Sequence, residues 1–123
     1  MEIKTGTDII EISRIKKSIE DTDGKFIERV FTPKEIEYCE KKNTQKYQHY
    51  AARFAAKEAV FKAISCKLEN KVEISWQDIE ILNDNTGRPY VKILNSNLNN
   101  ITNIDISLSH CKEYAIANVV III

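Results

Sequence analysis

Cysteine, glycine, proline and tryptophan are all scarce in this chain of 123 residues, which holds three, three, two and one of them. Cys39, Cys66 and Cys111 are odd in number and widely spaced. That pattern suits neither a disulfide framework nor a CxxC zinc site, so reduced thiols and a cytoplasmic location are expected. An excess of charge of one sign is also lacking: 18 basic side chains balance 18 acidic ones. With no global positive field to release phosphate counterions, a generally basic nucleic-acid binder is disfavoured, and any anion site must be local. The amino terminus, running from Met1 to Asp8 and Glu11, has no apolar core of the signal-peptide kind. The longest apolar stretch, Tyr114 to Ile123, is interrupted by Asn118. It falls well short of the roughly 20 residues of a membrane helix and reads as a buried strand. No membrane association is expected.

What remains is ordinary globular material, 43% hydrophobic and 29% charged. A chain of this length makes one domain, residues 1–123, and buries about two-thirds of its unfolded surface. Residues 3–10 alternate as a strand, with Ile3, Thr5, Thr7 and Ile9 on one side and Asp8 beside Ile10 on the other. Ser13 opens a helix in which Ile12, Ile15 and Ile19 recur until residues 21–24 break it. After a short segment at 26–31, Thr32-Pro33-Lys34-Glu35 supplies an N-cap, a proline at N1 and a glutamate at N3. The longest helical stretch runs from about Lys46 to Cys66 and carries six alanines, at 51, 52, 55, 56, 59 and 63.

From residue 72 the period becomes alternating. A strand at 78–82, a turn at 83–87 and a strand at 89–94 lead through an asparagine-rich loop or short helix. A half-buried strand follows at 104–110, then a turn at 111–113 and a last strand from Tyr114. The order predicts an α+β domain with the long helix packed on a mainly antiparallel sheet.

Two carboxylates stand alone among small or apolar neighbours, Asp8 on the first strand and Glu58 on the long helix. Such a pair suits Mg²⁺, which takes one or two carboxylates and completes its octahedron with water and phosphate oxygens. Equally, Asp8 could cap a strand end and Glu58 could form an i, i+4 pair with Lys62. Helical spacing puts Glu58 and Lys62 on an apolar face, with Arg53 and Lys57 on another flank. Lys62 either contacts a phosphate or assists proton transfer, or it extends to water. Ser107-Leu-Ser-His110 sets hydroxyls and an imidazole at one strand end, a cluster suited to an anion. A serine hydrolase is disfavoured, because no Gly-x-Ser-x-Gly elbow accompanies them. Arg14, Lys16 and Lys17 give the first helix a basic start, followed by Glu20, Asp21 and Asp23.

In order and spacing, five segments resemble the 4′-phosphopantetheinyl transferases of the holo-acyl-carrier-protein synthase type. They are Gly6-Thr-Asp8 continuing to Ile15, Arg29 to Glu35, Arg53-Phe-Ala-Ala-Lys-Glu58 continuing to Ala63, Trp76 to Ile81 with Gly87-Arg-Pro89, and Ser107 to His110 with Tyr114 to Ala117. The resemblance runs through most of the chain. It implies a magnesium-dependent enzyme of fatty acid biosynthesis, in which a serine of an apo acyl carrier protein attacks the β-phosphate of coenzyme A and 3′,5′-ADP leaves. Asp8 and Glu58 then hold Mg²⁺ with the coenzyme's pyrophosphate, and Lys62 serves as the active-site lysine. Ser109 and His110 meet the 3′-phosphate, Pro89 lies near the adenine, and Arg53 and Lys57 are further phosphate contacts. The base is either a metal-bound water held by Asp8 or one of the side chains Lys62 and Glu58, and the water is preferred.

The short members of this family work as homotrimers, which implies that His110 meets Asp8 and Glu58 across a subunit interface. Arg14 matches a basic residue that docks the acidic carrier protein, although Glu20, Asp21 and Asp23 depart from the basic pattern. Ile121–Ile123 adds apolar bulk for the sheet or the interface. Two rival classes stand against this: a non-catalytic coenzyme A or nucleotide-phosphate binding module, and a small single-stranded RNA binder. The first has no use for the full set of Asp8, Glu58 and Lys62, and the second would need an exposed aromatic platform and a basic stripe.

Overall fold

The computed structural model describes residues 1–65 and 74–123. Strand β1 (Ile3–Glu11) leads directly into helix α1 (Ile12–Asp21), followed by α2 (Lys25–Val30), α3 (Pro33–Glu40) and the long α4 (Lys46–Ile64). The hairpin β2 (Ile79–Asn83) and β3 (Pro89–Ile93) comes next, and then β4 (Asn103–His110) and β5 (Tyr114–Ile122). The expected α+β class, with antiparallel sheets and a long helix, is what the chain adopts. Cys66 and the residues at which the strand pattern was expected to begin lie outside the described residues.

Strand β5 is central in a three-stranded antiparallel sheet of order β1-β5-β4, while β2 and β3 form a separate pair. Register puts Asp8, Ala117 and Leu108 in one row and Ile10, Ala115 and His110 in the row two residues along. Helix α4 covers one face of this sheet. Ala115, Ala117, Val119 and Ile121 of β5 are buried beneath it with Ala55, Ala56, Ala59 and Ala63. The opposite face stays open, exposing Ile3, Ile9, Tyr114, Ile116 and Val120. The last strand is therefore buried on one side only, because only one layer of helix is available to cover it.

A second core, built from Ile12, Ile15, Ile19, Val30, Phe31 and Tyr50, joins α1 and α2 to the first half of α4. The α3 start follows the sequence expectation: Thr32 Oγ1 accepts from the Glu35 N–H, and Glu35 Oε1 accepts from the Thr32 N–H at 2.8 Å. Glu35 goes further than a cap. Its other oxygen accepts from the Ile81 N–H at 2.8 Å, and Lys57 Nζ lies 2.8 Å from Oε1, with both side chains fully enclosed. One carboxylate thus ties α3, α4 and β2 together.

Candidate active site

The approach of β1 to α4 decides the first part of the site. A Cβ at Gly6 would stand 1.8 Å from the Ala59 carbonyl oxygen, so strand and helix can cross this closely only where residue 6 has no side chain. Two residues on, Asp8 shares the inward face with Gly6 and meets the flank of α4 that carries Glu58 and Lys62. Lys62 Nζ donates to Asp8 Oδ1 and to the Thr7 carbonyl, both at 3.0 Å. Lys62 therefore pairs across elements and does not form the local i, i+4 pair with Glu58 that spacing permitted.

Glu58 is half-buried and accepts no hydrogen bond among the described residues. Burial pushes its carboxyl above the usual carboxylate range, the neighbouring Asp8 charge adds to the rise, and Lys62 opposes it. Among the described residues no group of three or more His, Cys, Asp or Glu could enclose a metal. Two carboxylates, one without a donor, instead match a hard cation that keeps most of its coordination for water and phosphate oxygens.

A second cluster lies at the other end of α4. His110, at the end of β4, sets its ring edge-on to His49 at 5.8 Å between centroids, and His49 meets Tyr38 in the same way at 5.5 Å. The Arg53 guanidinium stacks 3.9 Å over the Tyr38 ring, and the Lys42 ammonium lies 4.8 Å over it. Arg53 Nη2 donates to Asn83 Oδ1 at 2.5 Å, and Asn83 Nδ2 donates to the Gly87 carbonyl at 2.9 Å, so Arg53 is linked to the turn before Pro89. Gly87 has φ of 86°, which the turn requires. Arg53 is almost fully buried, with Nε unpartnered among the described residues, in a cleft of about 310 Å³ bordered by Lys34, Tyr38, Asn83 and Tyr90. Pro89 lines a neighbouring cleft of about 520 Å³ against Ser107 and Leu108 of β4. Ser109 is exposed and alternates with His110, pairing with Ile116 on the open sheet face.

Two expectations need correction. The resemblance makes Lys57 a phosphate contact, yet its ammonium is wholly enclosed by Glu35 and by the carbonyls of Trp76, at 3.0 Å, and Ile79, at 2.5 Å. Burial pulls its pKa below the usual lysine range, against the Glu35 charge, and no side of it is open to a ligand. The helical reading also sets Glu58 and Lys62 on an apolar face, and that face is not the enclosed one at these two residues. Arg53 and Lys57 face the protein, whereas Lys62 is exposed and Glu58 half-buried. The hairpin and α3 cover the first flank, and their polar atoms receive its charges.

Arg14 is exposed on α1, with Lys16 and Lys17 beside it. Asp8, Glu58 and Lys62 are thus brought together in one chain, and Arg53 is joined to the Gly87–Pro89 turn. His110 is not brought to Asp8: β5 stands between their strands, and two strand spacings amount to about 9.6 Å. Along α4 the nine residues from His49 to Glu58 add a separation of about 13.5 Å. The residue that sequence reasoning missed is His49. Its one signal is the i, i+4 spacing to Arg53, which puts both on one flank of the helix.

Comparison with known proteins gives a consistent result. Residues 4–119 match the 4′-phosphopantetheinyl transferase superfamily. The chain is 49% identical to the holo-[acyl-carrier-protein] synthase of Ruminiclostridium cellulolyticum over 98% of its own length and 92% of the other. It is 42% identical to the synthase of Geobacter sulfurreducens, over 95% and 94%. The crystal structure of Helicobacter pylori holo-[acyl-carrier-protein] synthase in complex with coenzyme A superposes with a TM-score of 0.83 at 34% identity, covering 95% of this chain and 98% of that one. The Bacillus anthracis synthase in complex with CoA (3′,5′-ADP) gives 0.79 at 35% identity, over 96% and 94%.

Proposed function

The chain belongs to the 4′-phosphopantetheinyl transferase superfamily, and from that premise we propose how its residues transfer 4′-phosphopantetheine from coenzyme A to apo acyl carrier protein. The observation that carries the assignment is the convergence of Asp8, Glu58 and Lys62 where β1 crosses α4. Asp8 and Glu58 are the residues that would hold Mg²⁺. Such an ion, when bound, offsets the charge that builds on the pyrophosphate as the bond to the leaving group lengthens.

The remaining work belongs to the chain. Lys62, exposed and anchored on Thr7 and Asp8, reaches the transferred phosphate from the rim of the cluster. A water held at Asp8 relays the proton of the carrier's serine to the Asp8 carboxylate as the hydroxyl attacks the β-phosphate, the bond from that phosphorus to the bridging oxygen breaks, and 3′,5′-ADP departs with that oxygen. Ser109 and His110 bind the 3′-phosphate, with Arg53 behind them, and Pro89 borders the adenine. The Arg53 guanidinium meets no carboxylate among the described residues, which leaves its charge available to a phosphate.

The chain acts as one catalytic domain and as a homotrimer with its sites at subunit interfaces. Two observations support this: β5 separates His110 from Asp8 within one chain, and the open face of the sheet exposes Ile3, Ile9, Ile116 and Val120. Arg14 docks the acidic carrier protein, in the cytoplasm, as a step of fatty acid biosynthesis. No helix among the described residues is long and apolar enough to cross a membrane.

Intact-mass spectrometry of an apo acyl carrier protein incubated with the protein, coenzyme A and Mg²⁺ tests the reading. A gain of one phosphopantetheine that a chelator abolishes and Asp8→Ala prevents is expected. Undiminished transfer by Asp8→Ala removes Asp8 from the metal site. No transfer to several carriers, with coenzyme A still bound, favours a binding module.

A further inference from the structure

We propose that His49 is a positioning residue for His110, holding its imidazole in the orientation that receives the 3′-phosphate of coenzyme A. This inference rests on the assignment of His110 above. His110 sits at the end of an edge strand, is exposed, and receives no hydrogen bond among the described residues that would fix its ring. Its ring packs edge-on to His49, with centroids 5.8 Å apart and planes 66° apart.

His49 is itself held. It projects from the interior of a 19-residue helix, and its other side meets Tyr38 at 5.5 Å and 75°. Tyr38 is in turn clamped by the cations of Arg53 and Lys42. The order therefore runs from a fixed helix, through two packed rings, to an exposed strand end. Burial first, and then the charges of Arg53, Lys42 and His110, pull the pKa of His49 from 6.5 to about 4. It is consequently uncharged at neutral pH, and acts on the neighbouring ring by packing rather than by charge.

The test compares His49→Ala, His49→Phe and His110→Ala, each with coenzyme A and with 3′-dephospho-coenzyme A. One edge-to-face ring contact corresponds to roughly a threefold to tenfold effect. His49→Ala should raise KM for coenzyme A by about that factor, with kcat unchanged and KM for the dephospho substrate unaffected. His49→Phe keeps the ring contact and should restore KM to within about twofold. Thermal unfolding checks that each variant remains folded. If His110→Ala discriminates between the two substrates and His49→Ala does not, the positioning role is overturned while the site assignment stands. A loss in His49→Phe equal to that in His49→Ala makes His49 a direct hydrogen-bonding contact and likewise overturns it. Failure of His110→Ala itself to discriminate strikes at the 3′-phosphate assignment and takes this inference with it.

Discussion

Replacing Gly6 with alanine probes the site without touching any residue that meets substrate. The added Cβ would lie 1.8 Å from the Ala59 carbonyl oxygen, 2.8 Å from its carbon and 3.1 Å from the Ala63 nitrogen. All three are backbone atoms of α4, so no rotamer change relieves the contact. Reaching ordinary van der Waals distance, from 3.4 Å, requires strand and helix to part by about 1.6 Å. Overpacking of this kind costs about 1–3 kcal/mol, which for a chain of this size lowers Tm by about 4–12 °C at fixed protein concentration. The same movement carries Asp8 away from Glu58 and Lys62. Since misplacing reacting groups by about 1 Å costs on the order of 10²-fold, kcat/KM for transfer should fall by at least that much while the chain stays folded below its lowered Tm. Mass-spectrometric rates and thermal unfolding give both numbers. Because the obstruction is the carbonyl of residue 59 and not its methyl group, Ala59→Gly in the same chain should rescue neither. Full activity in Gly6→Ala, or rescue by Ala59→Gly, would refute the argument.

Glu58→Gln should abolish transfer yet raise stability at pH 7 in the presence of chelator. The Glu58 pKa is raised above 4.5 in the fold, so its contribution to stability is complete below pH 4.5 and is lost as pH rises through the folded value. The advantage of glutamine should therefore fade towards pH 4.5 in unfolding curves, and a gain independent of pH would contradict it. Lys57→Met leaves the enclosed Glu35 carboxylate unpaired and should cost about 3–5 kcal/mol in urea unfolding, with much of the loss recovered when Glu35→Gln is added. A change under about 0.5 kcal/mol would show the pair to be dispensable. Inactive Asp8→Ala chains mixed with His110→Ala chains, which are impaired at low coenzyme A, should regain part of the activity on subunit exchange if sites straddle the interface. Absence of recovery, with exchange shown by mass, would place each site within one chain.

The parts that could be read ahead of the fold were those governed by short-range rules. Thr32-Pro-Lys-Glu35 specifies a helix start by local hydrogen bonding alone, and the alternation of Ile104, Ile106 and Leu108 specifies a strand facing a core. Asp8 and Glu58 stood out because lone acids among apolar neighbours are rare on regular elements. What could not be read depended on partners distant in the chain. A lysine on a helix flank looks solvated until Glu35, 22 residues earlier, and two carbonyls from beyond residue 75 close over it. His49 has meaning only through its neighbour His110, which arrives 61 residues later. The alternation at the carboxy-terminal strand was visible as apolar bulk, but which half of it would be covered depends on how many helices the chain can spare for the sheet.

Helix α4 also acts as a ruler. One rigid rod carries His49 near its start, Arg53 and Lys57 in the middle, and Glu58 and Lys62 towards its end, each answering to a different element of the protein. Inserting a single residue between Arg53 and Glu58 would advance everything beyond it by about 1.5 Å and turn it by about 100°. That would swing Glu58 away from Asp8 while His49 kept its place. Length changes can therefore accumulate before Lys46 or past the end of the rod, but the segment between His49 and Lys62 can only be inherited whole.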